Sequence, residues 1–521
     1  MTRHPNTRII LGPPGTGKTT RLMALLESEL AAGVPPEAIG FVSFTKAAVT
    51  EAKDRAVAKF GLDPERFDGF RTIHSQAYAL IGREKPPMKS ADWRAFCERY
   101  RYQLSEADPK NAEEPGQSPQ NTDDDQLRAA HEWSRVRLVS IREGLRTYEG
   151  AVRPDDVELF ATRYGEFKAD TKRIDFTDML EGCLARGLYR KRKALFVDEV
   201  QDLSPLQIAL VKVWMGAAER VYIAGDDDQA IYTFGGAEPD WLISLAKDYP
   251  VDVLDRSWRC PREPHALAMK IIGRNRRRVA KPYTPREEVG SVAVASRAGA
   301  IASIRPGEST FVLCRNVRTI RSVVGDLFHA RVAYLSERGG LNPLGRASLL
   351  SAVNAAISLG SGLNVPNSAL KNLGEYVAAP LFGPRGTKGT IMARADIDPD
   401  EVDDWPLDTL RAVVRDKGPV SILTLGKVDN ETREYLAAVI AKHGKVPIPE
   451  VIVTTIHGSK GREAHHGIVF SDVAFPVAAS MRDDPEPENR AAYVAVTRTR
   501  DRLTIVRPET KHYYAYPLAG A

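Results

Sequence analysis

The chain has 521 residues and a net charge of +5, a length that exceeds one hydrophobic core and predicts about three or four units. Its four cysteines, Cys97, Cys183, Cys260 and Cys314, are far apart and form no C-x-x-C pair, which argues against a disulfide framework or a zinc site and predicts a reducing, cytoplasmic setting. No apolar run approaches the roughly 20 residues of a membrane span, and MTRHPNTR enters the first apolar run without a signal-peptide core, so neither membrane association nor export is expected.

The first predicted element is IILGPPGTGKTT, residues 9 to 20, in which an apolar strand-like run meets the pattern G-x-x-x-x-G-K-T and the helical stretch RLMALLESEL follows. Gly12, Gly15 and Gly17 permit positive φ and close backbone approach, so the N–H groups of Gly12, Gly15, Thr16 and Gly17, in a loop shaped by Pro13 and Pro14, can cradle a β-phosphate at a helix N-terminus. Lys18 then reaches the β- and γ-phosphates and Thr19 the Mg²⁺. Nucleotide binding is the expectation. A turn, GVPPEA, leads to the strand IGFVSF (39 to 44) and the helix TKAAVTEAKDRAVAKF. Residues 76 to 173 carry helical spacing and a polar stretch, ADPKNAEEPGQSPQNTDDDQ, and predict a mainly helical insertion with a solvated connection.

LFVDE (195 to 199) and VYIAGDDD (221 to 228) are apolar runs ending in acidic residues or glycine, as parallel strands do at a ligand-bearing edge. Asp198 is placed to hold Mg²⁺, Glu199 to polarise an attacking water, and Gln229 to meet the γ-phosphate or that water. From about residue 255 the pattern restarts with STFVLCR, RVAYLSE, VIVTTIH and GIVFSDV, while residues 346 to 448 have weaker strand signals and predict another insertion.

SFTKAAVTEAKDR, FRTIHSQAYAL, LFVDEVQDLSPLQ, VYIAGDDDQAIYTFGGA, LDRSWRCP, TTIHGSKGRE and RAAYVAVTRTRDRL stand in that order behind the phosphate loop. This set resembles the ordered motifs of UvrD/Rep-like superfamily 1 DNA helicases, and IDFTDML and the spacing of Ile272, Asn275, Arg278 and Lys281 are similar to family features. The resemblance implies an α/β fold of two RecA-like P-loop NTPase domains, parallel sheets flanked by helices, each with an inserted subdomain. The expected divisions are residues 1–75 and 174–254 for the first domain, 76–173 for its insertion, 255–345 and 449–521 for the second, and 346–448 for its insertion. It implies ATP-dependent 3′ to 5′ movement on single-stranded DNA with duplex unwinding, ATP and Mg²⁺ as cofactors, and single-stranded DNA and single/double-strand junctions as partners. The alternative is a translocase on single strands that displaces proteins without productive unwinding.

Carried residue by residue, the resemblance places Arg259 and Arg498 on the γ-phosphate from the second domain, Trp258 on the adenine and Glu463 on the ribose. Phe44, Thr45, His74, Phe234, Thr455 and His457 match positions that meet single-stranded DNA or couple it to ATP. Three departures stand out. Only about eight residues precede the first strand, where the family usually has a glutamine-bearing segment that reads adenine. Thr20, with Arg21 one place later, stands where an arginine commonly helps sandwich the base, and Gly235 stands where an arginine often follows the stacking aromatic.

Overall fold

The computed structural model describes residues 4–43, 46–105, 122–361, 363, 365–376, 404–405, 422 and 425–518. They form two compact units, Met1–Val289 with Met481–Thr497, and Gly290–Ser480 with Arg498–Ala521.

In the first unit, β1 (Thr7–Leu11), β2 (Ile39–Ser43), β3 (Phe70–Thr72), β4 (Arg192–Val197), β5 (Ala218–Gly225) and β6 (Val251–Val253) form a parallel sheet in the order β3-β2-β4-β5-β1-β6. Helices including Lys18–Ala31, Lys46–Phe60 and Pro205–Gly216 connect the strands, which explains why β2 is buried at every position and reads as a continuous apolar run. Phe41 stacks on Phe70 at 5.6 Å and on Phe196 at 6.3 Å, and Phe196 stacks on Tyr222 at 4.7 Å, so one aromatic ladder crosses four strands. The helices Ser90–Tyr100, Asp123–Val136 and Pro154–Thr171 of the insertion have a separate core of Phe96, Phe160, Tyr164 and Phe167.

The expected division at residue 255 differs from the structure, in which residues 255–289 remain with the first unit. Backbone bonds explain this: Leu254 donates to Leu11 and Trp258 to Gly15, both at 2.8 Å. The helix Arg262–Ile272 also packs on the helix Glu486–Val496 within the same unit.

The second unit has its own parallel sheet. β7 (Ser291–Ala295), β8 (Thr310–Cys314), β9 (Tyr334–Ser336), β12 (Val451–Thr455), β13 (Ala464–Phe470) and β14 (Thr499–Val506) lie in the order β7-β14-β13-β8-β12-β9. Between β9 and β12, a two-residue ladder pairs β10 (Val365–Pro366) with β11 (Asp404–Trp405), and the helices Ala347–Gly360 and Asn430–His443 share the core of the second sheet through Val353, Tyr435 and Leu436. Both sheets are parallel and flanked by helices, the fold class expected from the sequence.

Candidate nucleotide site and nucleic-acid contacts

The phosphate loop leaves β1 beside β5, with Gly12 donating to the Gly225 carbonyl at 3.3 Å. Gly15 and Gly17 have φ of +74° and +86°, the left-handed region that side chains disfavour. A Cβ at Gly12 would stand 2.5 Å from Thr16 Oγ1 and 2.7 Å from Lys18 Cγ, so the curl of the loop requires glycine there. The helix Lys18–Ala31 starts at Gly17 without a side-chain cap and without an acidic residue in its first turn, which suits an anion at its N–H groups. Lys18 Nζ donates to the Gly12 carbonyl at 2.7 Å, arching over the loop, and Thr16 Oγ1 donates to the Pro13 carbonyl at 2.8 Å. Thr19 is half-buried on the first turn, Thr20 is exposed, and Arg21 pairs with Asp252 at 3.4 Å.

Asp198 and Glu199 follow β4, and the GDDDQ segment follows β5, which lies between β4 and β1. Asp198 is buried and accepts the Glu199 N–H at 2.9 Å, and Glu199 takes a left-handed conformation with φ of 54°. Gln201 ties the two acidic segments together: its Nε2 donates to Glu199, while its Oε1 accepts the Asp226 N–H at 3.0 Å. Gln229 Nε2 donates to Asp226 Oδ2 at 2.7 Å. Burial acts to raise the Asp226 carboxyl, but Lys281, Lys18 and the Gln229 hydrogen bond outweigh it and hold the group ionised below its usual range.

Arg259 and Trp258, expected on the second domain, belong to the first unit. Ser257 Oγ donates to the Pro14 carbonyl at 3.0 Å and Tyr283 Oη to the same oxygen at 2.9 Å, so this segment braces the loop from outside. A Cβ at Gly15 would meet Arg259 Cβ at 2.5 Å. Trp258 is 65% exposed, with the Arg256 guanidinium 5.0 Å from its ring centroid.

Of the second-unit residues, Arg498 is buried and donates to the Arg462 carbonyl at 3.4 Å, and Glu463 pairs with Arg500 at 2.7 Å. Thr455 Oγ1 accepts the Gly458 N–H at 3.0 Å and steadies the turn that contains buried His457. In the first unit, Phe234 is 42% exposed at the tip of a 3-10 turn. His74 packs edge-on against Phe176 at 5.9 Å, and burial pushes its imidazole down to about 4, so it is neutral at physiological pH. Phe44 and Thr45 lie outside the described residues.

The UvrD/REP helicase N-terminal domain family matches residues 2–250. Over 95% of its length the chain is 25% identical to the ATP-dependent DNA helicase UvrD2 of Mycobacterium tuberculosis (strain ATCC 25618 / H37Rv), covering 76% of that protein. It is 24% identical to YjcD of Bacillus subtilis (strain 168) over 96% of its length, covering 77% of YjcD. Against the ATP-dependent DNA helicase Rep of Escherichia coli (strain K12), identity is 27% over 46% of the chain and 37% of Rep. The chain is thus similar to UvrD/Rep-like helicases.

Sequence reasoning missed the bracing pair Ser257 and Tyr283 and the bridging Gln201. Gln201 sits inside the quoted LFVDEVQD, and its spacing of two from Glu199 was the available signal. Ser257 and Tyr283 gave none, because each acts through a carbonyl 243 and 269 residues away. Gly235, the departure from the UvrD/Rep-like pattern, is buried in the turn that presents Phe234.

Proposed function

We propose that the chain hydrolyses ATP to ADP and phosphate while moving 3′ to 5′ along single-stranded DNA, and that it unwinds duplex at single/double-strand junctions. The observation that supports this most is the gathering of the phosphate loop, the Asp198–Glu199 pair and Gln229 at the carboxyl ends of β1, β4 and β5, joined by Gln201. On this reading Gly12 to Gly17 hold the phosphates through the loop and helix N-terminus, and Lys18 leaves the Gly12 carbonyl to meet the γ-phosphate. Thr19 and Asp198 offer hard oxygen donors that fit Mg²⁺, which neutralises phosphate charge when bound. Glu199 takes the proton of the attacking water and Gln229 orients it. Arg259 and Arg498 supply positive charge as the γ-phosphate departs, an effect on the order of 10³ to 10⁵ in rate for arginine fingers. Trp258 offers its exposed face to the base, with Thr20 and Arg21 beside the loop, and Glu463 turns to the ribose.

For DNA, Phe234 stacks on a base, while Phe44, Thr45, His74, Thr455 and His457 flank the strand. A neutral His74 would act there as a hydrogen-bonding or packing group, since it carries no charge for a phosphate. The four cysteines, Cys97, Cys183, Cys260 and Cys314, are free. No helix among the described residues is long and apolar enough to cross a membrane.

The test is ATP hydrolysis with and without single-stranded DNA, followed by displacement of a labelled strand from duplexes with a 3′ or a 5′ tail. Strong stimulation with unwinding only from the 3′ tail is expected. Unwinding only from the 5′ tail would reverse the polarity, stimulation without unwinding would leave the protein-displacing translocase, and no hydrolysis would end the reading.

A further inference from the structure

Asp226, Asp227 and Asp228 follow β5 without a break, and all three carboxylates are buried. Three adjacent carboxyl groups inside a protein repel one another when ionised, and burial pushes the Asp227 carboxyl above its usual range, so a nearby cation is what favours the charged forms. Lys281 supplies it. Its ammonium, on a side chain 1% exposed, lies 3.0 Å from Asp226 Oδ1, 2.7 Å from Asp227 Oδ1 and 2.9 Å from Asp228 Oδ2. Arg278 adds a two-pronged grip on Asp228 at 2.7 and 2.6 Å, and the Val279 N–H donates to Asp227 Oδ2 at 2.8 Å.

Through Asp226 this cluster is joined to the residues of the proposed chemistry. While Oδ1 of Asp226 takes the ammonium, its Oδ2 accepts from Gln229, and its backbone N–H reaches Glu199 through Gln201. On the far side, Arg490 Nε donates to the Asp227 carbonyl at 3.1 Å, and Asn489 Nδ2 to Asn275 at 2.7 Å. Both belong to the helix Glu486–Val496, and the chain passes into the second unit right after Thr497.

We propose that Lys281 is a positioning residue for ATP turnover, a tethered cation that fixes the Asp226–Asp228 loop so that Gln229 and, through Gln201, Glu199 keep the geometry hydrolysis requires. The inference rests on the ATPase reading above. A purely structural lysine would stabilise the fold without acting through Gln229, and the two roles separate in a double-mutant cycle.

DNA-stimulated turnover is measured for Lys281→Met, Gln229→Ala and the double variant, with the KM for ATP and a thermal melt of each. Either single change is expected to lower kcat on the order of 10²-fold, the scale of losing one oriented hydrogen-bond donor, with KM changed less than about threefold. The double variant should be no slower than the slower single variant. Multiplicative losses, or an unchanged kcat in Lys281→Met, would overturn the proposal. If Lys281→Met fails to fold, the cycle is run with Lys281→Met/Asp227→Asn, which removes one charge of each sign, and the same outcomes decide. Absence of hydrolysis in the unaltered protein would instead refute the ATPase reading itself.

Discussion

Lys18 makes its hydrogen bond to a carbonyl of its own loop, so its replacement removes the charge offered to phosphate and to Asp226 without touching the hydrophobic core. Lys18→Ala is expected to abolish ATP turnover while sparing most single-strand affinity, measured by phosphate release and fluorescence anisotropy; retained turnover would sink the assignment of the loop. Gly15 is stricter still, because an added methyl brings both backbone strain and a collision with Arg259. Gly15→Ala should cost about 1–3 kcal/mol in stability, with a loss of nucleotide affinity that calorimetric titration reads directly. Phe234 is a 42% exposed ring, 6.3 Å from the Tyr232 ring, so the core gains little from it. Phe234→Ala should weaken single-strand binding by roughly 1–3 kcal/mol per stacked base and depress stimulated turnover more than basal turnover. Equal loss of both would contradict a stacking role.

Between β13 and β14, His466 is wholly buried, with Nε2 2.8 Å from Thr504 Oγ1 and Nδ1 3.2 Å from Arg502 Nη2. Burial and the neighbouring guanidinium push its pKa down to about 4 from 6.5, so between those values the unfolded chain binds a proton that the native strand pair refuses. Stability of the second unit should therefore fall as pH drops from about 6.5 toward 4, and His466→Gln should flatten that part of a denaturation profile. Glu308, held below the usual carboxylate range first by its hydrogen bonds from Arg502, loses its contribution only as pH falls further. A variant as acid-sensitive as the parent would refute the assignment to His466. These elements also show what was legible in the chain. β2 and β8 announced themselves because every position is buried, and β5 and β12 because each carries a short apolar run, VYIA and VIV. β3, β6 and β7 did not, being three to five residues long with exposed or charged positions such as Arg71 and Asp252. The phosphate loop, Asp198, Glu199 and Gln229 were legible as local patterns, whereas the bracing of Pro14 by Ser257 and Tyr283 depends on long-range folding that no local spacing records.

Each unit has a core that shares no residue with the other, one around Ile10, Phe41 and Phe196, the other around Val312, Phe328 and Tyr435. Calorimetry should accordingly resolve two transitions rather than one. An ATP analogue at about 100 times its Kd should raise the transition of the first unit, by about 2.7 kcal/mol if binding is confined to the native state. A single transition would show that the cores unfold together. The division of the chain has a further consequence, for its making. The first unit is complete only when Met481–Thr497 has been added, about 190 residues after Val289. At roughly 5–20 residues per second, a ribosome takes about 10–40 s to cross that interval. Throughout it the nascent Asp226–Asp228 loop has Lys281 and Arg278 but lacks Arg490, so the first unit stays unfinished until a segment that lies beyond most of the second unit has been translated.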